Sequence, residues 1–391
     1  MLIALLALPL VGCWDSNEIE KRPMVLAIGI DPAQQQVHPT LPGSVERNPT
    51  TYSGPIKLSA QIAITGQIPL GPPSGQPSTG TAPVYILSGT GRNFAEAIQD
   101  IQSKLPNEIY LGQLRVIAIN EQIARQGILG VLDPLRRNRE VSATNWMIIT
   151  KQEAAQLIAA QPKGERVPAL FVRDLLENAV KNGRLPPHFL EEFDVLVQSE
   201  GQEASLPYLQ TDGNQISIAG LALFRSTQMV STVDLQEMAA FSELYGLHPA
   251  GYPFNVPTIS SQGVDTIQVQ ARYRKTKVIL RNGQPVLQLH LRFDGRLQSK
   301  TAFAPQTTTK AYEKIQEEWA NGSKASMEKL LRKTKAEKVD PFGFGETIRV
   351  QQPKLWEERF GSKARWEEAW PNMPVEISVE THLRRQGVVA Q

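Results

Sequence analysis

The chain has 391 residues, 41% of them hydrophobic, with 41 basic and 39 acidic side chains and a net charge of +2. That length exceeds one ordinary domain, and so even a charge balance supplies no bulk field to draw in nucleic acid or acidic lipid. A single cysteine excludes a disulfide framework and any zinc site built on paired thiolates.

Residues 1–12 form one apolar run that ends Leu10-Val11-Gly12-Cys13. A membrane-spanning helix needs about 20 apolar residues, whereas the apolar core of a secretory signal needs about 7–15. A small residue before a lone cysteine marks a lipoprotein signal, which makes Cys13 the expected site of lipid attachment. No Lys or Arg precedes Cys13, so the usual positive start of such a signal is missing. Met24 to Asp31 reads as a buried strand. Ile56, Leu58, Ala60, Ile62 and Ile64 alternate with other residues, the period of a half-buried strand. Two stretches rich in Pro, Gly, Ser and Thr, at 37–55 and 66–83, read as loops. Val84 to Leu87 is a short strand.

Phe94, Ala97, Ile98, Ile101 and Leu105 then lie on one face of a helix. Leu114 to Ile119 is a strand, and Asn120 is placed to cap a helix that takes its apolar side from Ile123, Ala124, Leu132 and Leu135. Thr144 to Thr150 returns to strand, followed by helices at 154–160, 170–180 and 189–197. The polar stretch 201–214 marks a boundary. Beyond it come a strand at 216–224 and a helix at 234–245. Asn282-Gly283 between apolar runs is a hairpin signal, because both turn residues accept positive φ. Thr308 to Lys338 is helical and charged, with Asn321-Gly322-Ser323 expected to break it in two. Val375 to Thr381 is the last strand. The mixture predicts an α+β fold of three mixed domains, with antiparallel or mixed sheets and helices packed on them. The expected segments are a signal peptide (1–12), an N-terminal mixed domain (13–200), a small middle domain (201–263) and a C-terminal sheet-plus-helix domain (264–391).

Catalytic signatures are missing from the sequence. None of the five histidines pairs with another at metal-ligand spacing, and there is no Gly-x-Ser-x-Gly elbow or P-loop. No catalytic residue, metal or other cofactor is expected. The densest unusual motif is Asp340-Pro341-Phe342-Gly343-Phe344-Gly345-Glu346. Its glycines allow a tight turn and its phenylalanines can plug a core. It reads either as a structural turn or as a partner-binding loop through Asp340, Gly343, Gly345 and Glu346. Trp356, Trp366 and Trp370 follow as core candidates.

Four stretches together carry a resemblance. They are Gly12-Cys13-Trp14-Asp15-Ser16-Asn17-Glu18-Ile19-Glu20 with Ala27-Ile28-Gly29-Ile30-Asp31, then Ser88 to Ala97, Tyr110 to Ile119, and Asp340 to Glu346 with Trp356 and Trp366 after it. In combination they resemble the Ger(x)C family, the lipoprotein C subunits of spore germinant receptors. Gln113 stands where members commonly carry His. The resemblance implies a non-enzymatic three-domain protein anchored through Cys13 to the outer face of the spore inner membrane. It also implies two integral membrane partners, a multi-spanning A-type and a transporter-like B-type subunit, in a complex that answers to nutrients. Trp14, Asp15 and Glu18 would lie at the membrane-proximal start and help to position the body. A solute-binding lipoprotein of a transporter is the alternative, and a peptidoglycan hydrolase a more distant one. Nucleic acid is not an expected partner.

Overall fold

The computed structural model describes residues 21–33, 52–64, 83–247, 254–260, 263–299 and 309–384. The signal segment 1–12 and the positions Cys13, Trp14, Asp15 and Glu18 lie outside the described residues.

The first sheet has eight strands: β1 (Val25–Pro32), β2 (Ile56–Ala63), β3 (Val84–Gly91), β4 (Val116–Asn120), β5 (Trp146–Thr150), β6 (Ser205–Asp212), β7 (Gln215–Arg225) and β8 (Gln228–Asp234). Their spatial order is β3-β2-β1-β4-β5-β6-β7-β8. The strands β1, β4, β5 and β6 run parallel at the centre, and antiparallel pairs flank them. Parallel strands of this kind are covered on both faces and so read as unbroken apolar runs. On β4, Val116 and Ala118 enter one core while Ile117 and Ile119 enter the other. One face carries α1 (Phe94–Gln102), α2 (Glu121–Gln126), α3 (Leu129–Arg137) and α6 (Leu190–Gln198). The other carries α4 (Ala154–Ala159), α5 (Pro168–Lys181) and α7 (Met238–Tyr245).

Three boundaries differ from the sequence reading. The helix expected to run from Ile123 to Leu135 is two, because Gly127 takes φ +120° and turns the chain between α2 and α3. Asp234 closes β8 instead of opening α7, and its Oδ1 accepts the backbone N–H groups of Gln236 and Glu237. Residues 205–234, assigned from the sequence to a separate middle unit of 201–263, contribute β6, β7 and β8 to the first sheet, so sheet pairing continues across residue 200.

The second sheet has the order β12-β11-β10-β9, from β9 (Phe254–Ser260), β10 (Gly263–Arg281), β11 (Gln284–Ser299) and β12 (Val375–Arg384). Asn282 and Gly283 close the β10–β11 hairpin with φ of +54° and +74°, as the Asn-Gly pair predicts. One face packs on α8 (Thr309–Ala336) and α9 (Phe344–Gln351), with α10 (Pro353–Arg359) against α9 and α11 (Lys363–Ala369) following in the same core. The expected break at 321–323 does not occur, and α8 is continuous. An interior glycine costs only about 1 kcal/mol. Ile315, Trp319, Met327, Leu330 and Leu331 are buried along the same helix, and each large buried side chain returns about 1.5–3 kcal/mol. Glutamines close both outer edges. Gln351 accepts from the Val278 N–H and donates to the Thr276 carbonyl, while Gln316 accepts from the Leu383 N–H.

The core on the second face of the large sheet is continuous with the core of the small one. The Asp340–Glu346 motif sits at this junction.

Candidate functional site: a sealed junction between the two sheets

Asp340 is fully buried, and its carboxylate organises the motif. Oδ1 accepts from the Phe342 N–H at 3.1 Å, and Oδ2 from the Gly345 N–H at 2.9 Å and Trp366 Nε1–H at 3.2 Å. The backbone of Asp340 is held in turn by Glu203, which precedes β6. The Asp340 N–H donates to Glu203 Oε2 at 2.6 Å, and the Glu203 N–H donates to the Asp340 carbonyl at 3.0 Å. Glu346 completes the clasp. Its Oε1 accepts from Ser199 Oγ–H at 2.8 Å and the Gly201 N–H at 3.0 Å, and its own N–H reaches the Gly201 carbonyl. The motif thus ties the C-terminal helices to the segment 199–203, which leads into β6 of the first sheet.

Both glycines of the motif are needed, for different reasons. Gly343 takes φ +73°, the left-handed region that favours glycine. Gly345 does not have positive φ and lies within α9. It is required because a Cβ there would come within 2.7 Å of Gly201 Cα, Gly201 O and Trp366 Cε2. The tight turn expected of both glycines holds for Gly343 alone. The aromatics form one packed train, with Phe342 near Phe241 and Phe344, Phe344 stacked on Trp370, and Trp366 against Trp356, Phe360 and Trp370.

Charge is concentrated beneath this train. Burial, with the nearby Asp340 charge, pushes Glu203 up to about 8. Burial pushes Asp340 up to about 7, against its hydrogen bonds, which pull it down. Lys363 is held below its ordinary value by burial, and its Nζ donates to the Leu196 and Val197 carbonyls at the end of α6. Arg274 lies over the Phe344 ring at 5.3 Å. A second buried pair joins α7 to β10: burial raises Glu243 to about 7 and lowers Arg272 to about 10, each opposed by the other's charge. Sequence reading missed Glu203, Glu243 and Arg272, because a lone charged residue carries no sign of the burial that awaits it.

The other singled-out stretches build the first sheet. Asp31 Oδ1 and Oδ2 accept the Ala154 and Ala155 N–H groups at 2.6 and 2.9 Å, so the end of β1 caps α4. Gly29 admits the backbone of Ala154, which a Cβ would approach within 2.8 Å. In the 88–97 stretch, Asn93 caps α1 by accepting the Glu96 N–H, while Glu96 accepts from the Arg92 N–H and guanidinium. Tyr110 pairs with the start of β1, where Arg22 lies 4.8 Å from its ring, donates to the Ile109 carbonyl and meets Glu140 at 2.8 Å. Gln113 accepts from Arg115 at 3.0 Å. An open cleft of about 620 Å³ lies beside Arg22, between Ile98, Gln102, Ile109 and Leu111.

Among the described residues no group of three or more His, Cys, Asp or Glu could hold a metal ion, and no helix is long and apolar enough to cross a membrane. The structure therefore defines a two-sheet α+β protein whose singled-out motifs, where described, support the sheets and their junction.

Comparison with known proteins gives the family. The description "Spore germination protein N-terminal domain" matches residues 15–211, and "Spore germination B3/GerAC like, C-terminal" matches residues 219–387. The chain belongs to the Ger(x)C family of spore germination proteins. It is 23% identical to spore germination protein KC of Bacillus subtilis (strain 168) over 418 aligned positions, covering 99% of this chain and 95% of that one. It is 24% identical to spore germination protein GerQC of Bacillus cereus over 310 positions, 79% of this chain and 84% of the relative. The crystal structure of the GerBC protein shares the fold with TM-score 0.58 at 18% identity, covering 86% of this chain and 96% of that one.

Proposed function

We propose that this protein is a non-enzymatic, lipid-anchored subunit of a nutrient germinant receptor. It would sit on the outer face of the spore inner membrane beside A-type and B-type integral subunits. The observation that carries this reading is the family match over both halves of the chain, with Gly12-Cys13 ahead of it. Acyl chains contribute roughly 0.8 kcal/mol per buried CH₂, so two chains on Cys13 hold the protein at a bilayer. There, weak contacts with neighbouring subunits gain from high effective concentration. The non-enzymatic part is supported by the site itself. Glu203 and Asp340 are a close carboxylate pair, yet they are 1% and 0% exposed and bonded to backbone N–H groups. Substrate has no access to them.

The test is Cys13→Ala in spores. The variant should fold, leave the membrane fraction and slow nutrient germination. A variant that still sediments with membranes after a salt wash would refute anchoring at Cys13. Tight binding of an amino acid or sugar by the isolated protein in calorimetry would favour a solute-binding role instead.

A further inference from the structure

The second sheet has helices on one face only among the described residues. Its buried face is Val278, Leu287, Leu289, Leu291 and Phe293, with Phe293 stacked on Trp319 of α8. The opposite face follows from the register. Tyr273 pairs with Arg292, Lys275 with His290 and Lys277 with Gln288 across β10 and β11, and these rows continue onto Glu380, Ser378 and Glu376 of β12, with Arg296 opposite Arg384 on the same face. Contacts confirm the shared face: Arg292 lies 4.2 Å from the Tyr273 ring centroid, and His290 Nδ1 meets Ser378 Oγ at 2.6 Å.

Six cations stand on this face: Lys275, Lys277, Arg281, Arg292, Arg296 and Arg384. The acids are Asp294, Glu376 and Glu380. The face therefore carries +3, more than the +2 of the whole chain. Two of the acids are already engaged, Glu376 with Arg281 at 2.6 Å and Asp294 with Arg292 at 3.6 Å. Arg296 and Arg384 sit directly opposite each other, a placement that repels in the absence of a counter-charge. Lys275 and Lys277 are exposed, and Tyr273 is 47% exposed.

We propose that this open sheet face docks on an anionic phospholipid surface and so sets how the tethered protein stands on its membrane. An open strand face suits a sheet of phosphate headgroups, since long Lys and Arg side chains can reach from it to a surface. Each cation near such a surface strengthens partition about fivefold, and an exposed Tyr is at home at the headgroup level. A net +3 gives weak attachment alone. It is enough to orient a protein whose anchor already holds it there. The proposal rests on the membrane reading above only for the nearness of a bilayer, and its test does not use the anchor.

The experiment is vesicle sedimentation of the full chain carrying Cys13→Ala. Vesicles of phosphatidylcholine alone are compared with vesicles containing about one-third phosphatidylglycerol, so that the apolar residues 1–12 contribute equally to both. Binding should be at least tenfold tighter to the anionic vesicles and should weaken steeply as salt shortens the Debye length below about 5 Å. Lys275→Glu with Lys277→Glu should abolish the preference at unchanged circular dichroism. Lys275→Gln with Lys277→Gln, a milder change to exposed positions, should reduce it severalfold. Equal binding to both vesicle types, or a preference that survives both double variants, would overturn the proposal while leaving the receptor assignment intact. Tighter binding to soluble polyglutamate than to the anionic vesicles would assign the face to an acidic protein and overturn it too.

Discussion

Asp340→Ala is the most direct test of the junction. The substitution leaves three buried donors without an acceptor: the Phe342 and Gly345 N–H groups and Trp366 Nε1–H. Each stranded donor costs about 1–3 kcal/mol, so the three together cost about 3–9 kcal/mol. Removing a carboxyl that burial has pushed up to about 7 relieves part of this, and we expect a net loss of about 2–4 kcal/mol. Against a total stability of about 5–15 kcal/mol that is a large fraction. Urea unfolding followed by tryptophan fluorescence reads it well, because Trp356, Trp366 and Trp370 are packed around the motif. The denaturant midpoint should fall markedly, and the transition should broaden or split as the halves of the protein lose their clasp. Asp340→Asn keeps one oxygen and should cost less than Asp340→Ala. An Asp340→Ala protein within about 0.5 kcal/mol of the parent, with one sharp transition, would refute the clasp.

Four further measurements test other parts of the structure. Glu203 and Asp340 retain protons in the folded state that the unfolded chain releases above about pH 4–5, so stability should decline as pH rises through 7 and 8. Glu203→Gln should flatten that slope, and an unaltered slope in urea titrations between about pH 5 and 9 would count against the buried pair. Burial holds the His188 ring down to about 3, so it contributes stability above its ordinary value that is lost as pH falls from about 6.5 towards 3; His188→Gln should reduce that acid-side loss in thermal melts. Gly345→Ala forces a Cβ against Gly201 and Trp366 and should destabilise by about 1–3 kcal/mol, whereas a glycine needed only for flexibility would cost a few tenths. Asp31→Ala uncaps α4 and should cost about 1–3 kcal/mol by urea melts, with no loss if solvent caps the helix equally well.

Local signals survived into the structure wherever local chemistry decides the outcome. Asn120 caps α2, and Asn282-Gly283 makes the hairpin. The cap needs only its own residue and the next few N–H groups, and the turn needs only two residues that accept positive φ. The family resemblance was legible for a related reason. Asp340, Gly343, Gly345 and Glu346 are spaced to satisfy one another's neighbours, and that spacing is written in the chain. Signals that compete with long-range packing were less dependable. Asn321-Gly322-Ser323 would end an isolated helix, yet the apolar stripe of α8 against the second sheet keeps it continuous.

The sequence alone determined most strands and the longer helices, the Asn120 cap, the Asn-Gly turn, the one cysteine and the near-zero total charge, but not β6 within the polar stretch 201–214, nor β9. Periodicity and residue chemistry act over a few positions, so they can be read without coordinates. Only the tertiary structure decided that 205–234 joins the first sheet, that Glu203 meets Asp340 across 137 positions, and that a nearly neutral chain gathers +3 on one bare sheet face. Burial and strand register are properties of distant partners, and no local pattern encodes which partners those will be.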